Sequence, residues 1–198
     1  MLFLKSKILN HKSLFIISLL FLSIGERIMF DLGPNIELVT ISMLLAAAYL
    51  GEKESLWIVL ITMILSDLIL GNTNIFLFTW SGFLIPALYT SIYLNKSKQS
   101  SIKLTGRSTL FGLGTGVFFF LWTNLGVWLL DTWGMYSNDL KGLMQSYINA
   151  LPFLKIQVLS NLVIVPLGFT LVECLKYLIK IISKSKNICH PELDSGSI

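Results

Sequence analysis

An aspartate inside an apolar run is the residue whose chemistry stands out first. Asp67 sits in Leu-Ser-Asp-Leu-Ile-Leu-Gly, where a carboxylate is costly enough to mark either a functional position or a held ion pair. Arg27 is its expected partner, although Glu26 and Arg27 could equally pair with each other or meet lipid headgroups. A second feature is a polar row: Phe120, Asn124, Trp128 and Asp131 recur at four, four and three residues and follow one slowly turning helix face. Such a row suits a pocket wall of amide and aromatic groups. It also suits a helix contact in which Asn124 bonds a neighbour. Gln157, Ser160 and Asn161 precede Pro166, whose missing N–H loosens a helix, so that stretch reads as a tolerated kink or as a hinge beside a polar cavity. The expected pocket is floored by Asp67 and Asn124 and walled by Trp122, Trp128, Tyr147 and Asn161. Asn35 and Arg27 are further candidates for ligand contact.

Other chemistries are missing. The chain has no Gly-x-x-x-x-Gly-Lys-Ser/Thr loop, and Thr105-Gly106-Arg107-Ser108-Thr109 does not supply one, so no ATP hydrolysis is expected of it. His11 and His190 lie near the ends, and no nucleophile elbow or His-Glu-x-x-His helix occurs. Cys174 and Cys189 form neither a close pair nor a metal-ligand pattern. An enzyme is not expected, nor a cofactor or metal. An intramembrane enzyme would have only Asp67 with Glu26 as a catalytic pair.

What must position these residues is a set of about six apolar segments, near 13–30, 36–50, 55–70, 74–94, 108–130 and 156–182. About 20 apolar residues span a bilayer. Segments 36–50 and 55–70 are short, so they either borrow flanking residues or form a hairpin that does not fully cross. The chain is 54% hydrophobic and 13% charged, too few charges for a water-soluble surface. The fold expected is therefore all-α, an integral membrane bundle of about six transmembrane helices. Its divisions are a cytoplasmic segment 1–12, a transmembrane domain 13–186 and a disordered cytoplasmic tail 187–198.

Lysine placement supports that count. With the N-terminus inside, the cytoplasmic side collects Lys5, Lys7, Lys12, Lys53, Lys96, Lys98, Lys103, Arg107, Lys176, Lys180, Lys184 and Lys186, while Lys141, Lys155 and Arg27 fall outside. Both termini are expected in the cytosol of a cell whose inner membrane holds the chain. The pI near 9.1 then reports topology and not nucleic-acid binding. Residues 1–24 mimic a signal peptide, but Gly25-Glu26-Arg27 follows where a small-x-small cleavage site would stand, so an uncleaved first span is expected. Between Asp131 and Lys155, Trp133, Met135, Tyr136, Leu143, Met144, Tyr147 and Ile148 alternate with polar groups. That segment is expected to hold a short helix, lying at the outer interface or folded back as a lid. Gly112 and Gly116 make a Gly-x-x-x-Gly ridge, suited to packing within the chain or to docking on another subunit.

The segments Glu26-Arg27, Gly33-Pro34-Asn35, Ala46-Ala47-Ala48-Tyr49-Leu50-Gly51, Ser66-Asp67-Leu68-Ile69-Leu70-Gly71, Phe120 to Trp128 and Tyr147 to Phe153 together resemble a family of uncharacterised bacterial membrane proteins that carry the label of transport proteins. That family is similar in turn to the substrate-binding S-components of energy-coupling-factor (ECF) transporters. The resemblance covers about residues 26–170. It implies a six-helix bundle that binds a small micronutrient at its outer side under loop lids. It also implies a separate membrane coupling subunit and two ATPases as partners. The chain departs from the pattern at Glu37 and Thr40 and lacks an Ala-x-x-x-Ala docking motif. The expected role is a substrate-binding component for small-molecule uptake, and the alternative is a membrane scaffold that transports nothing.

Overall fold

A computed structural model describes residues 2–30, 32–33, 35–71, 74–94, 100–130 and 134–189. Within them the chain is helical and carries no strand. Six α-helices follow in order: α1 (Leu2–Gly25), α2 (Leu38–Tyr49), α3 (Glu52–Leu70), α4 (Phe76–Leu94), α5 (Ser101–Leu130) and α6 (Leu140–Cys189). A π-helical turn, Glu26–Phe30, ends α1. Three stretches, His11–Phe30, Ser101–Leu130 and Leu140–Ile182, are long and apolar enough to cross a membrane.

The buried centre is α2. Apart from Thr40 and Ser42 its buried residues are apolar, as suits a helix with no solvent face, and residues 39–48 are all buried. It packs against each of the other five helices, and its Val39, Met43 and Leu44 meet a core that includes Ile58, Met63, Phe83 and Phe169. Twelve residues rise only about 18 Å, less than a bilayer core, so the shortness expected of segment 36–50 is observed. At its end the Leu50 and Gly51 N–H groups both donate to the Ala46 carbonyl. Gly51 then takes a φ of 127°, open to glycine, and α3 starts with Glu52 and Glu54 at its positive end. The outward surface is the reverse of the core. Leu68 is 76% exposed and Leu110 72%, in a belt of leucine, isoleucine and phenylalanine that lipid can solvate and water cannot.

Several boundaries differ from the sequence expectation. Helix α1 runs from Leu2 through residue 12 without a break, so the expected N-terminal segment is helical from residue 2 and continuous with the first apolar stretch. Helix α5 begins at Ser101, ahead of the apolar segment 108–130 expected for it; residues 95–99 lie outside the described set. The largest correction concerns 131–155. Among the described residues no separate short helix lies there, because α6 begins at Leu140 and continues to Cys189, about 75 Å of helix. Pro152 and Pro166 remain inside it. Each removes one backbone hydrogen bond without ending the helix, which packing along α5 holds in place. The expected tail, residues 187–198, is helical as far as Cys189, and the rest lies outside the described residues.

Asp139 starts α6. Its Oδ1 accepts from the Gly142 N–H at 2.8 Å and from the Ser137 hydroxyl at 2.6 Å. The Ser137 hydroxyl first, and then the Gly142 N–H, hold this carboxyl below its ordinary range. A lowered folded pKa means the cap is complete above the usual carboxylate value and is lost as pH falls through the lowered one. Hydrogen exchange over residues 140–146 is expected to quicken on acidification in that window. In Asp139→Ala it should be fast at every pH. Acid-insensitive exchange in the unsubstituted chain would contradict the cap.

The two ends of the bundle differ in chemistry. At one end Lys12 pairs with Glu54, and Glu173 of α6 accepts from Tyr49 and Ser101, each at 2.6 Å. Lys176 sits 3.4 Å from the centre of the Tyr49 ring and 3.8 Å from Glu173. The opposite end carries Arg27, Asp67 and the entrance to a cavity.

Candidate functional site

Two polar groupings occupy that opposite end. In the first, Arg27 leaves the π-helical turn toward α3. Its Nε donates to Ser66 Oγ at 2.8 Å and its Nη2 to Asp67 Oδ1 at 3.0 Å. The other Asp67 oxygen accepts from Trp80 Nε1 of α4 at 2.6 Å. The pairing expected between Arg27 and Asp67 is present. Both side chains are largely buried, 17% and 11% exposed, and both carboxylate oxygens are occupied by protein donors. Beside them the buried Glu26 accepts the Leu38 N–H through Oε2, satisfying a free donor at the start of α2. Among the described residues no three His, Cys, Asp or Glu side chains converge as metal ligands.

The second grouping is a cavity of about 300 Å³ between α4, α5 and α6. Helix α5 lines it with Phe119, Phe120, Thr123, Asn124 and Val127. Helix α6 adds Ala150, Phe153, Leu154 and Gln157, while Ile75, Thr79 and Asn35 complete the wall. Asn35 holds a left-handed φ of 59°, a conformation asparagine tolerates better than most residues. Asn124 donates its amide N–H to the Phe120 carbonyl, one turn back on its own helix, at 2.8 Å. Gln157 is only 4% exposed, and its Nε2 has no hydrogen-bond partner.

Small residues on α5 make this arrangement. A Cβ on Gly116 would stand 3.2 Å from Asn161 Nδ2 and 3.4 Å from Gln157 Cγ, so the bare backbone there lets both amides lie against the helix. A Cβ on Gly112 would meet Val165 at 3.1 Å and Leu44 at 3.3 Å. The Gly-x-x-x-Gly ridge is therefore used inside the chain, where it joins α5 to α6 and α2. Gly116→Ala is expected to push the Gln157 side chain toward the cavity and to shrink it, which a crystal or cryo-EM structure of the variant would show.

Of the residues expected to line one pocket, the structure brings Asn35 and Asn124 together and places the rest elsewhere. Asp67 and Arg27 belong to the ion-pair network. Trp122 donates to Ser81 Oγ at 2.8 Å and stacks on Phe118. Trp128 donates to the Ser137 carbonyl at 3.0 Å. Tyr147 donates to the Leu121 carbonyl at 3.0 Å, with its ring against Phe120, so it backs a lining residue without reaching the cavity. Asn161 donates to the Gly112 carbonyl at 3.1 Å and supports the same wall from below. The polar row on α5 thus divides: Phe120 and Asn124 face the cavity, Trp128 turns to the loop, and Asp131 lies outside the described residues. Thr79, Thr123, Phe119 and Gln157 were not among the sequence candidates for the site. Gln157 alone carried a signal, as an amide within an apolar run.

Residues 7–183 match a family described as a family of unknown function (DUF6580). No curated protein and no solved structure matches the chain.

Proposed function

The chain belongs to the family of unknown function DUF6580, and from its cavity we propose that it is a solute-binding membrane component for the uptake of a small molecule. One observation carries this reading: Gln157, which lines a cavity large enough for a small molecule, has a buried amide donor, Nε2, without a partner. Buried polar atoms are nearly always satisfied, so an unmet donor beside an open volume calls for a ligand group that accepts from it. In this reading the chain crosses the inner membrane six times. Helices α2, α3 and α4 complete their crossings where the bundle is thin, and both termini lie with the lysine-rich end in the cytosol. The cavity then opens to the outside. The likeness to ECF S-components adds a separate membrane coupling subunit with its ATPases, which would supply the energy that a chain without a phosphate-binding loop does not.

A second reading, a membrane scaffold, is favoured by the network around Asp67 and by the Asn161 contact to Gly112, since these polar residues hold helices together. Two measurements separate the readings. Comparing metabolite pools of cells with and without the chain should reveal one solute whose accumulation depends on it. Mass spectrometry of the gently solubilised protein should find the same solute bound. Asn124→Ala should cut that accumulation about ten-fold, the loss of roughly one buried hydrogen bond and its contacts, while insertion is unchanged. No dependent solute, with only protein partners copurifying, would establish the scaffold instead.

A further inference from the structure

Among the described residues that line the cavity none is ionisable, although the same end of the bundle holds Glu26, Arg27, Glu37 and Asp67. A charged ligand would surrender its hydration there and meet no opposite charge in exchange. The polar atoms that the cavity does offer are complementary. Gln157 brings an unmet N–H donor. Asn124 has committed its own N–H to the Phe120 carbonyl, which sets the orientation of its amide and leaves the Oδ1 acceptor. Phe119 and Phe120, 9% and 7% exposed, line the same space. Donor, acceptor and aromatic walls together favour a flat molecule with a polar edge.

We infer that the cavity takes an uncharged, flat heterocycle carrying a carbonyl or ring-nitrogen acceptor beside an N–H donor, a lactam-type edge read by Gln157 and Asn124. This deepens the uptake reading and rests on it for its biological meaning, but the ligand class is tested by binding alone. The full chain in detergent is titrated with three probes of similar size: 2-quinolinone, a neutral lactam; naphthalene, which lacks a polar edge; and 2-naphthoate, which is charged. Calorimetry and thermal stabilisation report affinity.

The expected result is saturable binding of 2-quinolinone, at least about ten-fold tighter than either comparison probe. Gln157→Leu should weaken it about ten- to a hundred-fold and leave naphthalene binding unchanged, because only the lactam loses a hydrogen bond there. Should Gln157→Leu fail to fold, Asn124→Leu tests the other half of the edge in the same way. Preference for 2-naphthoate, equal affinity for naphthalene, or binding of no probe overturns the inferred class. Lactam binding in a chain that accumulates no solute in cells keeps the class and removes the uptake reading. Preference for 2-naphthoate beside chain-dependent accumulation does the opposite.

Discussion

Replacing Asp67 by Ala should lower the melting temperature of the solubilised chain by about 5–10 °C, the largest stability change expected from a single polar substitution here. Two groups lose their acceptor at once. The Arg27 guanidinium, mostly buried, keeps Ser66 as an acceptor, and the Trp80 indole N–H loses the acceptor it has. Removing one member of a buried pair costs about 3 kcal/mol, because the surviving charge stays desolvated. Exposure of 17% and 11% admits some screening, which holds the expectation to the lower end of that range. Removing both charges should cost much less. Arg27→Met combined with Asp67→Asn keeps a carbonyl oxygen for Trp80 and leaves no buried ion, so most of the loss in Asp67→Ala should be absent. An equal drop in the double variant would show that the network stabilises through shape and not through charge.

Ala150→Trp should abolish accumulation of the transported solute, by more than about ten-fold at limiting concentration, and leave the melting temperature unchanged or higher. Ala150 is 7% exposed and lines the cavity from α6, so a larger side chain there takes up ligand space. An indole placed there fills an existing void and adds dispersion contacts, which is why stability should not fall. The pairing of lost uptake with kept stability distinguishes this from ordinary overpacking, in which both decline. Gly126→Ala supplies that contrast: a Cβ there would enter the Phe78 ring across the α4–α5 contact, and the variant should lose stability and uptake together. Retained accumulation in a stable Ala150→Trp chain would place the binding site outside the cavity.

Different features of this chain were legible at different levels. The all-helical class and the membrane-length stretches follow from long apolar runs, since hydropathy summed over about 20 residues outweighs any single position. The Arg27–Asp67 pair was also legible, because two opposite charges near one end of neighbouring apolar segments have few other partners. Helix ends were less so. The sequence between 131 and 155 alternates in a way that fits an interfacial helix, and only the Asp139 cap and the packing along α5 make residues 140–155 the beginning of α6.

Trp122, Trp128 and Tyr147 show where residue type misleads. Their chemistry suits a ligand, yet each N–H or O–H finds a serine or carbonyl acceptor within the chain, so they support the wall or the loop. Beside the expected Asn35 and Asn124, the lining came from Gln157 and from threonines and phenylalanines that composition does not set apart from ordinary helix contacts.

By its own order of residues this chain determines that it is helical, that its apolar surface needs lipid, and that Arg27 and Asp67 seek each other, because these depend on local periodicity, bulk hydropathy and charge. Which polar atoms remain unmet was decided only by the tertiary structure. Gln157 lies beside an open volume and Asn161 against the Gly112 carbonyl although four residues separate them on one helix, and that difference comes from the neighbouring helix, where Gly112 and Gly116 let α5 approach.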